Sequence, residues 1–257
     1  MKRHLLIVAI AFIGVTLNSC TFNFKSETMK GDGNVVTREY TINDFNEFVC
    51  ALPATVNFSI ADHSTCTVRV DENLLEYLKV MVKDGKLELS QTKPKGGNYL
   101  NFDATEFVID ITAPSINEIT LAGSGDINML SPLNEQRLEV VIAGSGNIVF
   151  KEETNISHLE MGVFGSGDIA VDKGLINKLE ADIAGSGNIV SHAESQEMEA
   201  SVMGSGDITA NVTGTLEYNI VGSGDIYYYG DAKVNGKIAG SGGINRIEAP
   251  SLKSNYE

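Results

Sequence analysis

Positive charge is scarce in this chain of 257 residues: 19 Lys and Arg stand against 34 Asp and Glu, a formal net charge of -15. So acidic a surface repels phosphate backbones and excludes nucleic acid as a partner. Long apolar runs are missing too, since Leu5 to Leu17 spans 13 residues, too few to cross a bilayer. His63, His158 and His192 each stand alone in sequence. No Gly-x-Gly-x-x-Gly phosphate cradle is present, and no Gly-x-Ser-x-Gly nucleophile elbow. These absences weigh against catalysis. Cysteine is limited to three positions, Cys20, Cys50 and Cys66.

The short apolar run has the layout of a secretory leader. Lys2, Arg3 and His4 precede it and Asn18-Ser19-Cys20 follows. It resembles a bacterial lipoprotein signal, with residues 1-19 removed and Cys20 carrying the lipid. Plain secretion with cleavage nearby is the alternative. Cleavage removes Lys2 and Arg3 and takes the net charge to -17. The expected location is the cell envelope, anchored through lipid to the outer membrane, with the face of that membrane left open. Residues 20-34 read as a polar tether. In an oxidising envelope Cys50 and Cys66, 16 residues apart, have two readings. They close a disulfide worth about 3 kcal/mol, or they are small core residues on neighbouring strands.

Residues 35-118 are rich in short strand-like runs. Val56, Phe58 and Ile60 alternate with Asn57 and Ser59, the period of a half-buried strand. Asp71 to Leu78 alone reads as helical, a turn or two, with Asp71 as N-cap and Leu74, Leu75 and Leu78 on one face. The stretch Lys93-Pro94-Lys95-Gly96-Gly97-Asn98 marks an exposed loop, either a solvated tip or, through Lys93 and Lys95, a ligand contact.

From residue 119 to residue 257 one phrase dominates: Gly-Ser-Gly, then Asp, Asn or Gly, then Ile. It occurs seven times, at Gly123-Gly125, Gly144-Gly146, Gly165-Gly167, Gly185-Gly187, Gly204-Gly206, Gly222-Gly224 and Gly240-Gly242. Starts are spaced by 21, 21, 20, 19, 18 and 18 residues, the signature of one stacked supersecondary unit. Leu138-Glu139, Leu159-Glu160, Leu179-Glu180, Met198-Glu199 and Leu216-Glu217 open the strands before five of the corners. Alternation turns Leu138, Val140 and Ile142 inward and Glu139 and Val141 outward. At about 3.3 Å per residue, such a unit suits a coil of two or three strands stacked at about 4.8 Å, a parallel β-helix. The Ile after each corner then forms a core ladder, at ~1.5 to 3 kcal/mol for each buried side chain before chain entropy is set against it. The glycines are expected to serve bends whose φ values penalise a Cβ.

Asp126, Asn147, Asp168, Asn188, Asp207, Asp225 and Gly243 follow the corners. The pattern mostly avoids stacking Asp on Asp, which repels. One reading is hydrogen bonding to nearby backbone. The other is a cation, calcium, between Asp207 and Asp225, the one pair that does stack. Tyr227, Tyr228 and Tyr229 form the densest aromatic cluster, either ladder packing or a surface for stacking on sugar or protein, with at least one ring expected to face solvent.

The lipobox-like cysteine, the irregular β-rich first half and the GSGDI and GSGNI copies ending in Gly243-Ile244-Asn245 resemble the autotransporter-adhesin head domain called the GIN domain. That family is common in envelope proteins of Bacteroides-like bacteria. The resemblance runs from about Val35 to Ile247. It implies a right-handed β-helix and an adhesive role, with a glycan or protein at the cell surface as partner, and it supplies no binding residues. A lipoprotein anchor departs from a true autotransporter, so the resemblance implies no secretion route. A self-associating scaffold, with the chain as a homo-oligomer, is the alternative role. A polysaccharide-active enzyme is the remoter one, because no basic residue recurs beside the corner carboxylates.

Overall fold

The structure is a computed structural model that describes residues 27-92 and 100-249. Each repeat folds as alternation and corner spacing dictate. An inward-alternating strand such as Leu133-Ile142 meets its corner, and a short strand such as Ile148-Phe150 follows before the chain returns into Thr154-Val163. Leu133-Ile142 lies parallel and in register on Thr154-Val163, with Leu138 beside Leu159 and Val140 beside Met161. Ile148-Phe150 likewise lies on Ile169-Val171. The chain is therefore a parallel β-solenoid of about six turns.

In-register stacking makes each inward position a column. Ile127, Ile148, Ile169, Ile189, Ile208 and Ile226 are buried, whereas Ile244, on the last rung, is half-buried. Among the described residues it has a coil on one side only. A second column runs through Leu138, Leu159, Leu179, Met198 and Leu216, all buried, and ends at exposed Val234.

The corner glycines have a different cause from the bend geometry that the sequence suggests. The second glycine of each copy has no positive φ. At Gly146 an added Cβ would land on the carbonyl oxygen of Gly125 in the preceding coil, and its equivalents meet the same obstacle. Close approach of stacked backbones is the constraint. Positive φ does occur at the first glycine of later copies, for example +136° at Gly204.

The first half supplies one parallel turn and then departs from it. Glu47-Cys50 and Thr55-Ile60 lie parallel on Glu118-Leu121 and Asp126-Met129. Their other edges lie parallel on Lys86-Gln91 and Phe107-Ala113, and only beyond those does the pairing become antiparallel: Thr65-Asp71 sits between Val35-Tyr40 and Phe107-Ala113, and Leu78-Lys83 pairs with Lys86-Gln91. A 3-10 helix, Glu72-Tyr77, stands where a helical turn is expected and buries Leu74 and Leu75. Asp71 does not cap it through its side chain. Its buried carboxylate instead accepts the Gly33 N-H at 2.8 Å and the Thr105 N-H at 2.7 Å, tying the segment around Gly33 to the body.

Candidate functional site

Parallel stacking acts on outward residues as it does on inward ones. Glu47, Glu118, Glu139, Glu160, Glu180, Glu199 and Glu217 are register neighbours, one above the next across seven rungs, and Asn235 follows. Carboxylates about 4.8 Å apart repel by roughly 1 kcal/mol per neighbouring pair in water, so a bare row destabilises the stack. Basic residues answer it. Lys86 bridges Glu47 and Glu118, each at 2.9 Å. Arg137 holds Glu160 at 2.7 Å. Lys178 reaches Glu180 at 2.6 Å and Glu199 at 2.8 Å.

His158 is the centre of this row. Its Nε2 lies 3.2 Å from Glu160 Oε1 and 3.0 Å from Glu180 Oε1. Glu160 is buried, while His158 and Glu180 are half-buried. Burial pushes the Glu180 carboxyl up, but the Lys178 hydrogen bond and charge, with His158, outweigh it and leave it below the usual glutamate value. Lys178 is held above the usual lysine range by its hydrogen bonds to Glu180 and Glu199. Three metal-type donor atoms lie within 4.8 Å of one another here. Arg137 and Lys178 already engage the same Oε1 atoms, so the arrangement's own chemistry is mutual neutralisation of fixed charges.

The residues after the corners build a second row. Asn147 donates its backbone N-H and its Nδ2 to Asp126 Oδ1, at 3.0 and 2.8 Å. Asp168 N-H then donates to Asn147 Oδ1, Asn188 to Asp168 through both nitrogens, and Asp207 N-H to Asn188 Oδ1. The backbone that these side chains reach is thus that of the following coil. At the Asp207-Asp225 step Asp207 Oδ1 accepts the Asp225 N-H at 2.7 Å, and Asp225 Oδ1 accepts the Gly243 N-H at 2.6 Å. Backbone amides thus engage one of the two oxygens that each carboxylate would offer calcium, and Tyr227 engages the second oxygen of Asp225.

Tyr227 and Tyr228 are half-buried and Tyr229 is buried, so none of the three stands free in solvent. Tyr228 packs against the core, and Tyr227 donates to Asp225 Oδ2 at 3.2 Å. That bond and the Asp225 charge raise the Tyr227 phenol. Tyr229 points outward by alternation, but the register shift between Ser191 and Glu194 brings in His192, whose Nδ1 lies 3.0 Å from the Tyr229 hydroxyl. Of the three, Tyr227 is the ring left on the outer surface.

Cys50 and Cys66 are buried free thiols, not a disulfide. They sit in different ladders, Cys50 beside Leu89 and Leu121 and Cys66 beside Tyr40 and Ile111. Burial pushes their pKa values up to about 11 and about 12. Cys20, Lys93 and Lys95 lie outside the described residues.

The glutamate row is the feature that reading the sequence for corners leaves out. Its signal is the Leu-Glu or Met-Glu pair that opens the strands before the corners, taken together with the rule that equivalents stack.

The family described as "Putative auto-transporter adhesin, head GIN domain" matches residues 44-232. Among solved structures, a "putative lipid binding protein" from Parabacteroides distasonis ATCC 8503 is similar at 29% identity and a TM-score of 0.75, over 86% of this chain and all of that one. A "putative adhesin" from Bacteroides fragilis NCTC 9343 is similar at 25% identity and a TM-score of 0.76, over 85% of this chain and all of that one. A second "putative adhesin" from Parabacteroides distasonis ATCC 8503 is 27% identical, with a TM-score of 0.72, over 86% and all of the respective chains. No curated protein matches. With close to three quarters of its length matched and solved relatives sharing its solenoid, the chain belongs to the auto-transporter adhesin head GIN domain family.

Proposed function

We propose that this chain is a non-enzymatic binding module of the cell envelope, anchored by lipid on Cys20 at the outer membrane, that presents fixed rows of side chains to a surface glycan or protein. The observation that carries this reading is the glutamate row from Glu47 to Glu217. Its spacing is set by backbone hydrogen bonds, and at its C-terminal end Glu199 shares Lys178 with Glu180 while Glu217 is exposed. Carboxylates are pure acceptors and take hydrogen bonds from sugar hydroxyls, amides or basic side chains. Rows held rigid by the core meet a ligand without loss of side-chain order. The similar structures described as adhesins support the same reading.

The test is an array of glycans and matrix proteins probed with the mature protein. Binding is expected, and Glu199→Gln with Glu217→Gln is expected to weaken it by about tenfold. Binding unchanged by that pair removes the row from the site, and new reducing ends or unsaturated products would establish an enzyme instead.

The relative described as lipid binding raises a second reading, and one observation favours it. Ala184, Met203, Val221 and Ala239, the residues before four successive corners, form an outward apolar row in which Met203 and Val221 are 52% and 46% exposed. Sedimentation with phospholipid vesicles, and its loss on Met203→Asp, checks it.

A further inference from the structure

We propose that the C-terminal end of the solenoid is a pairing surface for a second copy of this chain, formed when the strand Lys233-Gly240 adds antiparallel to its own equivalent about Gly236. Among the described residues this strand pairs on one side only, with Thr215-Gly222. All of it is exposed, including Val234 and Ile238, at 37% and 42%.

Earlier coils show which groups face onward. The Glu139 N-H donates back to Asn117 O at 2.9 Å and the Ala143 N-H back to Leu121 O at 2.8 Å, whereas Ile142 O accepts from Phe164 N-H of the following coil at 2.7 Å. Alternation then turns the N-H and C=O of Leu138, Val140 and Ile142 toward the following coil. The registers carry those positions to Val234, Gly236 and Ile238. Their three N-H and three C=O groups form the centre of the open edge, which Gly240 continues at the corner.

A twofold axis at Gly236 sets Gly236 opposite Gly236 of the second copy, Val234 opposite Ile238, and Ile238 opposite Val234. Each becomes a hydrogen-bonded pair of an antiparallel ladder, and between Val234 and Ile238 no edge group is left over. The same pairing lays the inward apolar side chains of one copy against those of the other and covers the exposed end of the core. The centre of the seam is flat, because Gly236 lies on Tyr218 with no room for a Cβ.

Charge agrees with this register. The strand holds two lysines and no carboxylate. On the outward side Lys237 faces Asn235 and Lys233 faces Ala239, so no charge opposes its like. Asn235 is the rung at which the glutamate row stops. The symmetry brings Lys237 of the second copy over Asn235 toward exposed Glu217, continuing the acidic row with a base. Lysines on an edge deter arbitrary strand addition, and this register matches them. The antiparallel caps of the two copies then lie at opposite extremes, a geometry suited to contact between two surfaces. The pairing is independent of which ligand the rows bind.

Sedimentation equilibrium of the full chain in mild detergent tests it. The expected particle holds two chains. Val234→Lys with Ile238→Lys sets lysine against lysine and is expected to halve the mass. Val234→Glu with Ile238→Lys sets unlike charges across the axis and is expected to restore the pair. A second measurement does not rely on those variants: chains with Asn235→Cys mixed with chains carrying Lys237→Cys are expected to cross-link on oxidation. A monomeric wild type, a double-lysine variant that stays paired, or no cross-link overturns the proposal. Pairing abolished by removing residues 250-257 but not by the lysines assigns the contact to that tail and overturns it as well.

Discussion

Asn147 donates two hydrogen bonds to a single oxygen, Oδ1 of Asp126, 21 residues earlier in the chain. One comes from its backbone and one from its side chain, so a corner residue caps the next coil rather than its own turn. Asp168→Ala removes the oxygen that accepts both bonds from Asn188. It is expected to cost about 1 to 3 kcal/mol, read as a lower melting temperature. Asn147→Asp keeps an acceptor but places carboxylates on three successive rungs. Its destabilisation is expected to shrink as salt is added, the signature of repulsion rather than a lost bond.

Gly146→Val places side-chain atoms on the carbonyl oxygen of Gly125, and the backbone stack has to open to admit them. A loss of at least about 1 to 3 kcal/mol is expected. The adjacent Ser145 is exposed, so Ser145→Ala is expected to leave the melting temperature within about 1 °C. Equal effects at the two positions would contradict close approach as the reason for the glycine.

The ion pairs around His158 give stability a dependence on acid. Glu180 has a folded-state pKa below its ordinary value of 4.5. Its contribution is complete above that value and is lost as pH falls through the lower folded-state value. Glu180→Gln is therefore expected to lower the melting temperature at neutral pH, with the difference from wild type closing as pH falls below 4.5 toward the lowered folded-state value. A difference constant across that window would show that the pairing with Lys178 contributes nothing.

The two thiols are expected to be inert while the chain is folded. Burial holds Cys50 at about 11 and Cys66 at about 12, so almost no thiolate exists at pH 8. A thiol reagent is expected to label neither in native protein and both after denaturation without reductant. Labelling that requires reductant would mean that they are paired.

Metabolic labelling with a clickable fatty acid checks the anchor. Incorporation is expected in the wild type and is expected to vanish on Cys20→Ala. Label retained on that variant would leave secretion without lipid as the reading.

The solenoid was legible in the sequence because stacking in register demands the same residue type at the same place in every turn. The corners repeat in sequence for the reason that they repeat in space, and Ile148 or Leu159 needed only its period to be placed in the core. The corner glycine was legible as a requirement but not in its cause, since only the stacked coils show the Gly125 carbonyl lying where a Cβ of residue 146 would go. The antiparallel cap was less legible, because alternation marks Thr65-Asp71 as a strand without saying which way its neighbours run.

The residues that neutralise the glutamate row show where sequence reasoning ended. The glutamates recur visibly, but Lys86 reaches Glu118 from a hairpin at the cap and Arg137 reaches Glu160 from the preceding coil. Those partners are decided by which strands lie side by side. Local alternation and repeat period, carried by neighbouring residues, determined the strands, the corners and the core columns. The charge partners, the separate ladders of Cys50 and Cys66 and the open edge at Lys233-Gly240 depend on contacts between distant segments, and only the tertiary structure decided them.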